Sequence, residues 1–167
     1  MTLRKMLVAL VLAWALPAFG QSVPNANYSD MWWNPAESGW GVTIVQHAGT
    51  HRAYAIWYTY DPREPDPQTP NTSDFKPLWF VMSAGTWSSP NTLTGNVYVT
   101  NGSPFFQGWN PGAHRLTQVG TFTFVFSDAS RGTFTYNIAP PSGLSSSDPA
   151  FGLPALSGSK AIQRQSF

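Results

Sequence analysis

The chain has 167 residues, with nine basic and eight acidic side chains and no cysteine. Without thiols it carries neither disulfides nor a thiolate metal cage, and no lipid can be attached at a cysteine. A balance so close to neutral leaves no electrostatic footprint for nucleic acid or for an anionic membrane surface.

Arg4 and Lys5 precede an apolar run over 6–19, and Ala18 and Gly20 place small residues where a signal peptidase reads. The run is too short to cross about 30 Å of hydrocarbon as a helix, which takes roughly 20 apolar residues. Residues 1–20 are therefore expected to be a cleaved secretory signal. The mature chain is expected to start near Gln21 as a soluble periplasmic or secreted bacterial protein with no membrane span. Its charge is then seven basic against eight acidic residues, nine less Arg4 and Lys5.

The remaining 21–167 reads as one all-β domain. β-Formers alternate between clusters of Gly, Pro, Asn and Ser, which is the strand signal. Strands are expected at 31–33, 41–47, 53–60, 78–82, 93–100, 120–126, 133–138 and 159–167. The clearest is 120–126, where Phe122, Phe124 and Phe126 share one face. The turn 127–132 makes it a hairpin with 133–138. Helical periodicity is absent, and Pro and Gly are too frequent for long helices. Seven or eight short strands in sequence predict an antiparallel up-and-down barrel, calycin-like, with a β-sandwich as the alternative. Closure removes exposed edges without help from helices.

Long loops are expected at 61–77, 101–115 and 139–158. The second carries Phe105, Phe106 and Trp109, and the third carries Phe151, Leu153 and Leu156. Those apolar residues predict that both loops pack down on the domain.

Residues 32–41 read Trp-Trp-Asn-Pro-Ala-Glu-Ser-Gly-Trp-Gly. This resembles the opening signature of a domain found in secreted and periplasmic proteobacterial proteins of unknown function. Ala55 to Asp61, Pro77 to Met82, Gly85-Thr86-Trp87, Phe126-Ser127-Asp128, Gly132-Thr133 and Lys160 to Gln165 continue the likeness over nearly all of the mature chain. The resemblance brings no activity with it. In that pattern the link corresponding to 61–76 is a short turn, so this segment reads as an insertion.

Read physically, Asn34-Pro35 starts a turn, and Gly39 and Gly41 leave the backbone open to close approach on both sides of Trp40. Glu37 sits on that turn. A barrel must close its first strand on its last, so Arg164 is expected to stack on Trp40 or pair with Glu37 and seal one end.

Catalytic signals are sparse. Glu37 with Asp30 is a carboxylate pair of the kind glycoside hydrolysis uses, with a histidine as the other possible partner of Glu37; the plain alternative is that Glu37 is a turn or salt-bridge residue. His47 and His51 flank a tight turn and could offer two imidazoles to a metal, or simply be exposed turn residues. No cofactor motif is present. The aromatic residues are the stronger clue. The strands at 53–60 and 78–82 are apolar on both faces, whereas a barrel strand should keep one side wet. Loop cover, a ligand or a partner would each account for this. Trp57, Tyr58, Tyr60, Trp79 and Trp109 are the residues expected to bind, because Tyr and Trp stack on sugar faces while offering a polar tip. The functional expectation is a non-catalytic envelope module that binds a glycan, a small apolar ligand or an envelope protein. A small secreted hydrolase and a purely structural module are the alternatives.

Overall fold

The structure is a computed structural model that describes residues 21–63 and 75–166. The expected signal at 1–20 and most of the 61–77 link lie outside the described residues. Eight strands follow one another: β1 (Asp30–Trp33), β2 (Gly41–Gln46), β3 (Ala53–Tyr60), β4 (Pro77–Ser89), β5 (Thr92–Asn101), β6 (Arg115–Phe126), β7 (Arg131–Ile138) and β8 (Leu156–Arg164). Each pairs antiparallel with the next, and β8 returns to β1 to close the barrel. This is the up-and-down barrel predicted, at the higher strand count, and closure excludes the sandwich.

The differences from expectation lie at strand ends. β4 runs 13 residues rather than stopping at Met82, because the register shift between Val81 and Thr86 carries the pairing past Ser83, Ala84 and Gly85. Such a bulge breaks the period-2 pattern that a sequence reading follows. β6 likewise begins at Arg115, which shortens the loop before it.

The up-and-down order sorts the connections. One barrel end has the turns 47–52, 90–91 and 127–130. The other gathers the links 34–40, 102–114 and 139–155, together with 61–63 and 75–76, where β3 ends and β4 begins. We call these the turn end and the loop end.

Alternate residues point inward and fill the lumen with rings. Trp57 stacks on Phe80 at 5.3 Å and meets Phe122 and Phe134 edge-on at 6.0 and 5.4 Å. Phe124 stacks on Phe134 at 4.9 Å. Burying each such ring is worth about 1.5–3 kcal/mol, and each good aromatic pair adds about 0.5–1.5 kcal/mol. The interior is therefore a packed core.

At the turn end, Tyr28, from the segment before β1, stacks on Phe126 and Trp87. Its carbonyl accepts from the Trp32 indole N–H at 3.0 Å. Arg164 closes this end. Its guanidinium lies 5.0 Å from the Trp32 ring centroid and donates to the carbonyls of Asn27, Ser29 and Ala129 and to the Asp30 carboxylate. The expected partners Trp40 and Glu37 are thus the wrong ones. The pairing of Trp32 with Arg164 puts the arginine at the turn end, whereas Glu37 and Trp40 follow β1 at the loop end. There, Ala150 and Leu153 of the 139–155 link are buried and cap the lumen; Leu153 packs down as expected, whereas Phe151 is 49 % exposed, against the expectation. Arg63 ties to the same link by donating to the carbonyls of Pro149 and Phe151, and Thr117 donates to Asp148.

Candidate functional site

The segment 32–41 folds so that each residue has a separate task. Trp32 faces the lumen and is fully buried, while Trp33 faces out. The Asn34 side chain accepts from the Ala36 N–H, and its carbonyl accepts from the Glu37 N–H, which makes the turn. Glu37 is the hub of the link. It accepts from Asn34 Nδ2, from the Trp40 indole at 3.3 Å and from Lys160 Nζ at 2.6 Å. Gly39 takes φ +107°, a conformation that side chains rarely adopt, beside the Tyr60 ring. Trp40 bends over the loop end, 6.4 Å from Phe134.

The sheet register then builds the outer wall. Gly41 pairs with Tyr58, and Tyr58 pairs with Trp79. The Trp32–Val42 pair sets Gly41 next to Trp33. The result is a transverse row, Trp33–Gly41–Tyr58–Trp79, with aromatics on either side of a glycine. Below it run Met31, Thr43, Ile56 and Val81. The gap over Gly41 opens as a groove of about 600 Å³ lined by Met31, Trp33, Gly39, Trp40, Gly41 and Tyr58, with Gln165 at its edge. Every one of these side chains is uncharged.

Of the residues expected to bind, Tyr58, Tyr60 and Trp79 are outside and 42, 51 and 49 % exposed. Their rings pair with no other described aromatic ring. Among the described residues they stand about half exposed on the outer face of β3 and β4. Trp57 is a correction. It is 8 % exposed and lies in the lumen core. Both faces of β3 are apolar, so its pattern does not say which points inward. The choice falls on the face where Ala53 and Ala55 leave space beside the large ring. Trp109 is exposed but stands on the 102–114 link, away from the row. Phe105 and Phe106 on that link are exposed too, against the expectation that it packs down. Trp33, Met31 and Gln165 complete the groove and were missed. Two adjacent tryptophans in a four-residue strand carry no signal of which faces outward.

Glu37 and Asp30 do not form a pair. They sit at opposite ends of β1, each with its own cation. The hydrogen bond from Lys160 holds the Glu37 carboxyl below the usual carboxylate range. The hydrogen bond from Arg164, helped by the Met31 N–H, does the same for Asp30. Both are kept ionised, whereas a general acid near neutral pH needs a raised pKa. His47 accepts the Thr50 N–H at Nδ1, and no group of three or more potential metal ligands forms among the described residues. His51 adopts φ 54° at its turn.

Compared with protein-family models, curated proteins and solved structures, the chain matches none.

Proposed function

We propose that this chain is an exported, non-catalytic binding module whose ligand lies on the outer wall of β1–β4, in the groove between Trp33 and Tyr58. One observation carries the reading. The lumen is full of rings, yet a second set of rings stands bare on the outside. An interior site of the kind many barrels use has no room here, and a contiguous exposed apolar surface marks a place of interaction.

The groove favours an uncharged ligand with a flat apolar face. Its lining carries no ion, its walls are aromatic, and the Tyr58 hydroxyl and the Gln165 amide give it polar tips. A sugar ring has that character, with C–H groups on its face and hydroxyls at its edge. A glycan segment is the ligand class we assign.

The test uses Gly41→Val. A Cβ at Gly41 meets only the Trp32 carbonyl oxygen, at 3.4 Å, so the strand accepts valine while the groove floor fills. Calorimetric titration with glycan and peptidoglycan fragments is expected to show binding to the wild-type chain. Gly41→Val should lose it without a lower melting temperature. Binding that survives in Gly41→Val would place the ligand elsewhere, and no binding across the fragment set would end the glycan reading.

A further inference from the structure

A different part of the molecule carries a second site. Phe105, Phe106 and Trp109, on the link between β5 and β6, are 99, 75 and 67 % exposed. Leaving side chains of this size in water rather than burying them is unfavourable. The link is nevertheless firmly framed. Gln107 N–H donates to the Pro104 carbonyl, and Asn110 N–H donates to Ser103 Oγ. Asn110 Oδ1 caps the short 3₁₀ turn Pro111–Ala113 by accepting from Gly112 N–H. Arg115 donates to the carbonyls of Gly112 and His114, and Asn101 reaches the Ser147 carbonyl on the neighbouring link. Phe105 and Phe106 meet edge to face at 5.8 Å. The frame therefore holds the rings out from the barrel.

We propose that this link is an insertion tip that docks the loop end of the barrel on a phospholipid bilayer surface. Three features select lipid as the occupant. Phe105 and Phe106 project into solvent, largely exposed, so the tip is placed to enter a deformable medium. Residues 101–115 contain no carboxylate, which would resist entry, and their only cation, Arg115, stands at the base of the link. The order of chemistry is that of an interfacial segment, with phenylalanine at the tip and tryptophan behind it where headgroups begin. Docking is by one end only. The outward residues of β6–β8 are mostly Thr, Ser, Asn and Gln, and a barrel that spans a bilayer needs an apolar band on every side. The groove over Gly41 takes no part, so this proposal stands or falls separately from the glycan reading.

The experiment is co-sedimentation of the full chain with vesicles of phosphatidylethanolamine and phosphatidylglycerol, and with vesicles of phosphatidylcholine. Wild type is expected to bind both, because the rings rather than charge provide the affinity. Replacing both Phe105→Ser and Phe106→Ser should lower partitioning at least about tenfold with an unchanged melting temperature. Brominated lipid should quench tryptophan emission in the wild type, and the quenching should fall in Trp109→Phe. Absence of vesicle binding, or binding undiminished in the double variant, overturns the proposal. So does a lipid-free dimer that the same double variant dissolves without any vesicle binding by wild type, since the tip would then serve a second copy of the chain.

Discussion

On β3 and β4 the outward positions carry Tyr54, Ile56, Tyr58, Tyr60, Trp79 and Val81, while on β7 and β8 they carry Arg131, Thr133, Thr135, Asn137, Ser157, Ser159, Ala161 and Gln163, with no ring among them. Both walls enclose the same lumen, and both have their backbone groups paired in closed ladders. The hydroxyl wall uses its outer face for cross-strand contacts such as Thr135 Oγ1 with Ser159 Oγ at 3.0 Å. It shows that the fold asks for no large apolar side chain at outward positions. The rings on the other wall are therefore surplus to the barrel, and an exposed apolar patch is the informative kind of exception to burial. The two barrel ends differ in the same way. The turn end is sealed by Tyr28, Trp32 and Arg164, and the loop end holds up Phe105 and Phe106 in water.

The sharpest way to break this comparison is to remove one ring from each side. Phe134 is fully buried and touches Trp57, Phe122 and Phe124. Phe134→Ala is expected to cost about 3–5 kcal/mol and to lower the melting temperature on the order of 10 °C. Scanning calorimetry would read it.

A smaller loss is expected at the turn end. Arg164→Ala removes several charge-assisted hydrogen bonds from a partly exposed site and should cost about 2 kcal/mol in chemical denaturation. Part of this depends on pH through Asp30. Its folded pKa lies below the ordinary 3.8. That contribution is therefore fully present above the ordinary carboxylate pKa and is lost as pH falls through the lowered folded value. The stability gap between wild type and Asp30→Asn, no more than about 1 kcal/mol for so exposed a pair, should be present at pH 7 and close in strong acid. A gap that widened on acidification would mean that Arg164 does not hold the Asp30 carboxylate.

The smallest effect belongs to the outer wall. Trp79→Thr gives that wall the chemistry of its opposite, and stability should change by under about 1 kcal/mol. If it costs as much as Phe134→Ala, the outer rings belong to the fold and the two walls are not different in kind.

Much of the architecture was legible because alternation and closure leave few options. Phe122, Phe124 and Phe126 announced both their strand and its buried face. A run of short strands with no helix led to the barrel. β4 was cut short because a bulge has no signature in a period-2 pattern. The site was legible only in part. Tyr58, Tyr60 and Trp79 were named as binders without a facing and lie outside, but Trp57 was grouped with them and lies inside, and Trp33 was not singled out at all.

The sequence by itself determined the elements, their antiparallel order and an excess of aromatic residues beyond what one core uses. Only the tertiary structure decided which rings are core and which are surface. Facing is a property of register and packing volume. Trp57 goes inward because Ala53 and Ala55 make room for it, and Tyr58 goes outward because it is the next residue. Gly41 becomes a groove floor only when Trp33 and Tyr58 are brought to either side of it, and Arg164 meets Trp32 and Asp30 only because the last strand lies antiparallel to the first.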